Sequence, residues 1–316
     1  MTVAKRNWTW FVALMGVIVI SGVLIGRSQR PALGKSFAYS MEDYRNVDPS
    51  LIHYVEAESL IPTPEKLSAL TIGIDGTIYI GGLNAIETFP ERDKIALDGL
   101  PTCLAIDDDG VLFVGFQDRF TVLSQDRKPV FTKSPGTNTY ITSIAVDDTW
   151  IYVADAGNRC VLRYSKTGAD ELEIGAKDEK TGARGFYVPS PFFDLDIGTD
   201  GSLWVVNPGY HAFENYTSDG RLISSWEKSG FHIEGFCGCC NPSHFALMPD
   251  GSFVTAEKGL PRIKIHNLDG SLRCVVAAPA QFDDGTTGLD VAVDSQGVIY
   301  VLDPVRRKVR LFKGKL

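Results

Sequence analysis

Leu104-Ala-Ile-Asp-Asp-Asp-Gly110-Val-Leu-Phe113-Val consists of a short apolar run, an acidic turn with one glycine, and a second apolar run that carries an aromatic residue. Apolar residues alternate on both sides of the turn, which is the pattern of a two-stranded hairpin. The turn glycine supplies a backbone conformation that a Cβ atom would penalise. This stretch therefore predicts a β-hairpin.

The same pattern recurs at five other places along the chain. These copies begin at Leu70, Ile144, Leu195, Phe245 and Val291, and the glycine of the turn is replaced only in the third copy, by Thr149. The intervals average roughly the forty-odd residues of a four-stranded propeller blade. One such sheet cannot bury both of its faces alone, whereas six sheets packed radially can. The sequence therefore predicts an all-β fold, a six-bladed β-propeller without long helices.

The third copy continues as Asp155-Ala-Gly-Asn158-Arg159-Cys-Val161. In these residues the chain resembles the NHL-repeat family of β-propellers, whose repeats carry Asp-x-x-Asn-x-Arg followed by Val or Ile after the second strand; Arg159 stands one place early. On this resemblance the chain looks like a membrane-anchored bacterial-type member with a Gly-Phe-Cys-Gly-Cys-Cys-Asn-Pro loop at residues 235–242. It implies the propeller fold and no single activity, because this fold hosts binding scaffolds as well as enzymes.

The resemblance also implies how the ring closes. Residues 53–60 have strand character but no partner of their own. Propellers commonly close by pairing an N-terminal strand with the last blade. We therefore expect residues 53–60 to pair beside residues 309–312.

The N-terminus contains an apolar segment. Residues 8–25 include no charged side chain and follow Lys5 and Arg6, and this length just suffices for a helix to cross a bilayer. A cleaved secretory signal is the alternative, and both would export the rest of the chain. We predict a signal anchor at 1–26, a tether at 27–50 and the propeller at 51–316. The membrane would be a partner through the N-terminal helix, and the propeller would be periplasmic or extracellular.

Composition restricts the remaining partners. The net charge of −8 does not suggest a nucleic-acid surface, so no nucleic acid is expected as a partner. Neither a Gly-x-Ser-x-Gly elbow, a phosphate-binding loop nor a His-Glu-x-x-His motif is present, so the common signatures of hydrolases are missing. The expected partner is a protein or a small ligand at the rim of the propeller.

Three of the six cysteines stand within four residues, Cys237-Gly-Cys239-Cys240, and His244 follows. Thiolate and imidazole ligands suit zinc, copper or iron, so these four residues form a candidate metal site. Adjacent cysteine side chains, however, are expected to diverge. In an oxidising compartment a Cys237–Cys240 disulfide, or one from Cys239 to a distant partner, is the alternative. Free and inert thiols are the third possibility.

Further candidate ligands are expected on the same face of the disc. His211 and His232 lie near the cysteines in the sequence. The residues just before the inner strands should approach the axial channel: Ala69, Cys103, Ser143, Asp194, His244 and Asp290. Because propeller ligands usually bind where loops of different blades meet, Asp194 and Asp290 join the candidate metal ligands.

Two functions are compatible with these residues. The first is a membrane-tethered, exported binding or assembly module whose cysteines and histidine give it a metal or redox role. The second is a metal-dependent hydrolase or lyase at the channel mouth, by resemblance to gluconolactonases and peptide-amidating lyases. In that case Asn207 and Asp303 would join Asp194 and Asp290 as oxygen ligands. Whether the chain is an enzyme stays open at this point.

Overall fold

A computed structural model of the chain describes residues 44–180 and 183–315, together with the single positions 13 and 15. The chain divides into two compact units, residues 1–41 and residues 42–316, and the second is described below. Among the described residues no helix is long and apolar enough to cross a membrane. The predicted anchor at 1–26 and most of the tether at 27–50 fall outside the described residues and stay predictions.

Within the described part of the chain, twenty-four strands form six four-stranded antiparallel sheets. Strand β1 is Tyr54–Leu60. Blade 1 contains β2 (Ala69–Ile72), β3 (Ile78–Gly82), β4 (Ala85–Phe89) and β5 (Lys94–Ala96). Blade 2 contains β6 (Cys103–Ile106), β7 (Leu112–Gly115), β8 (Phe120–Leu123) and β9 (Pro129–Lys133). Blade 3 contains β10 (Ile141–Val146), β11 (Trp150–Asp155), β12 (Cys160–Ser165) and β13 (Leu172–Ile174).

The second half of the ring has the same plan. Blade 4 contains β14 (Leu195–Ile197), β15 (Leu203–Asn207), β16 (Ala212–Tyr216) and β17 (Leu222–Glu227). Blade 5 contains β18 (His244–Leu247), β19 (Phe253–Ala256), β20 (Ile263–His266) and β21 (Leu272–Ala277). Blade 6 contains β22 (Asp290–Val293), β23 (Ile299–Asp303) and β24 (Lys308–Gly314), with β1 as its outer strand. The predicted all-β, six-bladed propeller is confirmed.

Helices contribute little to the described unit. Three 3-10 helices of three residues each are found there, Pro49–Leu51, Pro208–Tyr210 and Pro279–Gln281. The hairpin turns follow the sequence pattern, because the five predicted turn glycines all have φ between 75° and 83°. In the third copy, which has Thr149 in place of the glycine, the side chain of Asp147 stabilises the turn. Its Oδ1 accepts hydrogen bonds from the amides of Thr149 and Trp150 at 2.7 and 2.6 Å.

The ring closes through the N-terminal strand, as expected. β1 pairs antiparallel with β24, with Glu56 opposite Phe312 and Leu60 opposite Val309. A bidentate ion pair reinforces this seam: Glu56 accepts from the Nε and Nη2 atoms of Arg310 at 3.1 and 2.6 Å. The side chain of Arg310 is only 2% exposed. Its charge is balanced by this carboxylate at close range and by Asp303, whose Oδ2 lies 3.8 Å from Nη1.

Polar side chains of the inner strands join neighbouring blades. Asp194 and Asp196 of blade 4 accept hydrogen bonds from the amides of Phe245 and Leu247 of blade 5, at 2.8 and 2.9 Å. Asp290 of blade 6 accepts from an amide of blade 1 at 2.8 Å. The six sheets share no backbone ladder, so these bonds fix the strands that line the axis.

A second set of buried polar residues orders the loops of the rim. The residue at the end of the second strand, or just after it, is fully buried in blades 3 to 6: Asp155, Asn207, Glu257 and Asp303. Asp155 shows their role, because its carboxylate accepts from the backbone amides of Tyr140, Gly157 and Asn158 at about 3 Å. Asn207 and Asp303 likewise accept from one loop amide each, at 2.9 and 3.0 Å, so these three residues satisfy loop groups that would otherwise be buried without partners.

The closing ion pair can be tested by mutation. In Glu56→Ala the buried guanidinium of Arg310 loses its closest carboxylate and keeps only Asp303 at 3.8 Å, so we expect the free energy of unfolding to fall by about 2–3 kcal/mol. Chemical denaturation of the full chain, followed by tryptophan fluorescence, measures the change. Glu58→Ala is the matched control on the same strand, since Glu58 is exposed and should cost less than about 0.5 kcal/mol. Equal losses in the two variants would contradict the role of the pair.

Candidate functional site

The axial channel holds a histidine between two carboxylates. The Nδ1 atom of His244 lies 3.5 Å from Oδ2 of Asp194 and 3.7 Å from Oδ1 of Asp290. The three side chains come from the first strands of blades 4, 5 and 6, or from the residue preceding them. They line an axial cavity of about 740 Å³, to which Cys103 and Ser143 also contribute. The expected meeting of Asp194, His244 and Asp290 at the channel is therefore observed.

Backbone amides hold both carboxylates in place. Besides the bonds between blades, Oδ1 of Asp194 accepts from the amide of Leu195 at 3.0 Å, and Oδ1 of Asp290 accepts from the amide of Val291 at 2.8 Å. Each carboxylate thus receives two amide hydrogen bonds before His244 approaches it. The imidazole meets acceptors whose positions are fixed by the backbone of the ring.

The charges of this group are coupled. Burial alone would lower the pKa of His244, but the hydrogen bond with Asp194 and the charges of Asp290 and Asp194 outweigh burial and raise it to about 9. Burial raises the pKa of Asp290 to about 6, although His244 opposes the rise. Burial also raises the pKa of Asp196 to about 6. At neutral pH the channel therefore presents an imidazolium beside the ionised carboxylate of Asp290.

An aromatic wall separates this histidine from the cysteine loop. The ring of Phe192 meets His244 edge to face, with 6.1 Å between centroids. On the same aromatic ring lies the Nζ atom of Lys258, 4.7 Å from its centroid. The sequence indicates the aromatic stretch 186–193, which contains Phe192, as a possible wall of the cysteine loop. Lys258 was not among the residues singled out by the sequence, because its role depends on two rim loops that meet only in the folded ring.

The adjacent thiols of the cysteine loop point toward each other. Sγ of Cys239 lies 3.2 Å from Sγ of Cys240, so the expectation that adjacent side chains diverge is wrong here. Cys239 is exposed and Cys240 is fully buried. Ser190 Oγ donates a hydrogen bond to Cys240 Sγ at 2.7 Å, and Lys258 Nζ donates to Ser190 Oγ at 3.4 Å.

Cys237 belongs to a different environment. It is buried, and burial followed by the charge of Glu257 raises the pKa of its thiol. A buried ion cluster anchors this part of the loop: Lys264 and Arg262 pair with Glu257 at 2.9 and 2.7 Å. Both cations also donate to the carbonyl of Gly235, at 2.7 and 2.8 Å. All six cysteines of the chain are unpaired in this structure.

The two remaining candidate histidines occupy the rim. His211 follows a 3-10 helix with a left-handed backbone, φ 54°, and its Nδ1 lies 2.9 Å from the carbonyl oxygen of Asn241. His211 therefore braces the cysteine loop through the backbone. His232 is exposed, and its ring meets Tyr44 at 6.3 Å between centroids.

The donors proposed for a metal do not converge in one place. His244 faces the carboxylates of the channel, while Cys239 and Cys240 face each other and Cys237 lies by the ion cluster. Across residues 44–180 and 183–315, no group of three His, Cys, Asp or Glu side chains is placed to hold one ion. Binding of zinc, copper or iron at these residues stays a prediction.

A second cavity, of about 750 Å³, lies at the hairpin turns of blades 2 and 3 on the opposite face. Several aspartates line it, but at least one of them has a structural role. Asp107 accepts from the amide of Val111 at 2.8 Å and pairs with Lys166 at 2.8 Å. The axial channel, with its half-buried imidazole, is therefore the better candidate site.

The state of His244 can be measured directly. We expect its imidazole signals in an NMR titration of the full chain to report a pKa of about 9. Because the folded pKa lies above the unfolded value of 6.5, the stabilisation by this group is fully present below about pH 6.5 and is lost as the pH rises through about 9.

Asp290→Asn keeps the shape and removes one charge, so it should lower the pKa of His244. Asp118→Asn, in an exposed loop, is the control and should leave it unchanged. An imidazole that titrates like a free histidine in the unmutated protein would contradict the arrangement described above.

Solved structures support the fold. A virginiamycin B lyase from Staphylococcus aureus superposes with a TM-score of 0.57 at 16% identity, covering 81% of this chain and 83% of that chain. A streptogramin B lyase superposes with a TM-score of 0.60 at 12% identity, covering 85% of this chain and 100% of that chain. A catalytically inactive S. aureus virginiamycin B lyase with quinupristin superposes with a TM-score of 0.57 at 12% identity, covering 84% of this chain and 100% of that chain.

At these identities the likeness shows the fold alone. No family model matches the chain, and no curated protein matches it. The chain is thus similar in fold to propellers that include lyases. The chemistry of its own channel has to be argued from its own residues.

Proposed function

We propose that the propeller binds a small ligand in its axial channel and that His244 is the anchoring residue. The observation that carries this proposal is the imidazole of His244, held between Asp194 and Asp290 at 3.5 and 3.7 Å inside a cavity of about 740 Å³. Pockets of this size with a few convergent polar groups are the usual form of small-molecule sites.

The geometry favours one class of ligand. Nδ1 is the ring nitrogen that faces the carboxylates, which leaves Nε2 to donate a hydrogen bond to the ligand. A protonated imidazole donates most strongly to an anionic or carbonyl oxygen. The aromatic edge of Phe192 beside the ring supplies apolar surface. The ligand would therefore combine a carbonyl or carboxylate oxygen with an apolar body.

Lyase activity is the second candidate, and the pKa values in the channel favour it. His244, with a pKa of about 9, is charged at neutral pH and can donate a proton to a leaving group. Asp290, with a pKa of about 6, is ionised there and can accept one. Two neighbouring groups with separated pKa values suit an acid and a base. The fold shared with virginiamycin B and streptogramin B lyases is consistent with this reading.

The remaining features of the proposal concern placement and family. An NHL-type repeat, an N-terminal signal anchor at residues 1–26 and a propeller outside the cytoplasm belong to the same proposal, and their support is the sequence. A ligand taken from an extracytoplasmic space would reach the channel without crossing the membrane. A protein partner at the rim is compatible with ligand binding in the channel, because the two surfaces differ.

A ligand test separates the two candidates. The full chain is incubated with quinupristin, and with a panel of small carboxylates and amides, with and without added Mg²⁺ and Zn²⁺. Binding is followed through the NMR signals of His244 and by calorimetry, and turnover by liquid chromatography with mass spectrometry. Products whose masses add up to that of the compound indicate a lyase, products whose masses add up to that of the compound plus one water indicate a hydrolase, and saturable binding without product indicates a binding module.

His244→Gln removes one charged hydrogen bond, worth about 1.5–3 kcal/mol, so we expect binding to weaken by about 10- to 100-fold. His232→Gln, an exposed rim histidine, is the control and should bind as the unmutated protein does. If His244→Gln retains full affinity for a compound that occupies the channel, the anchoring role of His244 is refuted.

The tether gives a separate prediction. In intact bacterial spheroplasts, added protease should digest the propeller or release it, because we place it outside the cytoplasm. The cytoplasmic marker enzyme of the same spheroplasts serves as the control and must stay intact. Full protection of the propeller would overturn the orientation, and a mature N-terminus beginning after residue 25 would replace the anchor by a cleaved signal.

A further inference from the structure

Two thiols of contrasting exposure stand side by side at the rim. Cys239 is exposed and Cys240 is fully buried, with 3.2 Å between their sulfur atoms. That separation lies in the range of about 3–3.5 Å from which reacting atoms attack. A reagent from solvent can therefore reach the sulfur of Cys239, and the sulfur of Cys240 lies next to it.

The surroundings of Cys240 suit a thiolate. Ser190 Oγ donates to the sulfur at 2.7 Å, and the ammonium of Lys258 stands behind that hydroxyl at 3.4 Å. Nearby cations and donors stabilise a thiolate, which is the reactive form of cysteine.

The loop that carries the pair is braced on both sides. The side chain of Asn241 donates to the carbonyl oxygens of Cys237 and Lys258, at 2.6 and 3.0 Å, and accepts from the amide of Lys258 at 3.0 Å. These bonds tie the residue after Cys240 to the loop that supplies Lys258. The donors around the sulfur are therefore held in place by the fold.

We propose that Cys239 and Cys240 form a redox couple that alternates between a dithiol and a disulfide by exchange with small-molecule or peptide disulfides. This site is independent of the ligand site proposed in the channel. Its substrate class is a disulfide, R–S–S–R, that can reach the exposed Cys239. The products are two thiols and the oxidised protein.

The exchange balances in two steps. Cys239 transfers its proton to the Cys240 thiolate and attacks one substrate sulfur, so that a Cys239–S–R bond forms, the R–S–S–R bond breaks and RS⁻ leaves. The leaving RS⁻ takes the proton from Cys240 and becomes RSH. The restored Cys240 thiolate then attacks Cys239 Sγ, forming the Cys239–Cys240 bond and expelling the second RS⁻. Two protein sulfurs are oxidised and one disulfide is reduced to two thiols.

The position of the two residues in the chain favours a reversible couple over a structural crosslink. Adjacent Cα atoms across a trans peptide are about 3.8 Å apart, below the usual range of about 4.4–6.8 Å for disulfides. Disulfides that depart from this range are easier to reduce and belong to the labile class. A bond between neighbours also closes no long loop, so it adds little to stability.

The test uses the full-length chain in detergent micelles, equilibrated with glutathione buffers from fully reduced to fully oxidised, acid-quenched and alkylated. Trypsin leaves residues 229–258 as one peptide that carries Cys237, Cys239 and Cys240. We expect the oxidised peptide to lose two hydrogens and to carry one alkyl group, on Cys237, and dithiothreitol to reverse the change. Alkylation of all three thiols at every glutathione ratio, or a bond between Cys237 and Cys240, would overturn the proposal.

Variants resolve the order of the steps. Cys240→Ser should trap glutathione on Cys239 as a mixed disulfide, because the second step is lost. Cys239→Ser should leave Cys240 unmodified, because it is buried. Cys274→Ser, a buried cysteine of β21, is the matched control and should oxidise as the unmutated protein does. If a variant does not fold by circular dichroism, the measurement on the unmutated chain alone decides between support and rejection.

Discussion

The carboxylates that join one inner strand to the next are the constraint on which this propeller depends. Six separate sheets surround the axis, and no backbone ladder passes from one to the next. Asp194, Asp196 and Asp290 bridge two of the seams by accepting amides of the neighbouring blade. At another seam, Thr142 and Ser143 of blade 3 donate to the carbonyl oxygens of Phe193 and Leu195. The residues that line the channel are thus also the residues that connect neighbouring blades.

Because the carboxylates that connect the blades also line the channel, they determine the charge state of His244. An ordinary buried imidazole is neutral, because burial disfavours its charged form, and His266 shows this: burial in the aromatic core of blade 5 lowers its pKa to about 3. The pKa of His244 is raised instead, because the carboxylates of Asp194 and Asp290, which connect neighbouring blades, lie beside its ring. Burial acts on both histidines, so the opposite directions of their pKa shifts follow from the neighbouring charges.

The sequence predicts the ring far better than it predicts the site. Hairpin turns and strand alternation are local, so the six repeated strand–turn–strand segments, five of them with a turn glycine such as Gly110, predict all six blades. The unpaired strand before blade 1 predicts the closure. The hydrogen-bond partners of Asp194 and Asp290 could not be predicted from the sequence, because they depend on how neighbouring blades are aligned side by side. Ser190 and Lys258 reach Cys240 from two different loops, and no spacing in the sequence connects them.

The cysteine loop shows why side-chain placement needs the third dimension. On spacing alone, Cys237, Cys239 and Cys240 look like one cluster with His244. In the folded chain Lys264 and Arg262 hold the carbonyl of Gly235, which fixes Cys237 beside Glu257 and away from the other two thiols. Asn241 then bonds to Lys258, which brings an ammonium to the side of Cys240. Two anchors, a buried ion cluster beside Cys237 and the side chain of Asn241 next to Cys240, therefore give the cysteines of one sequence motif two different environments.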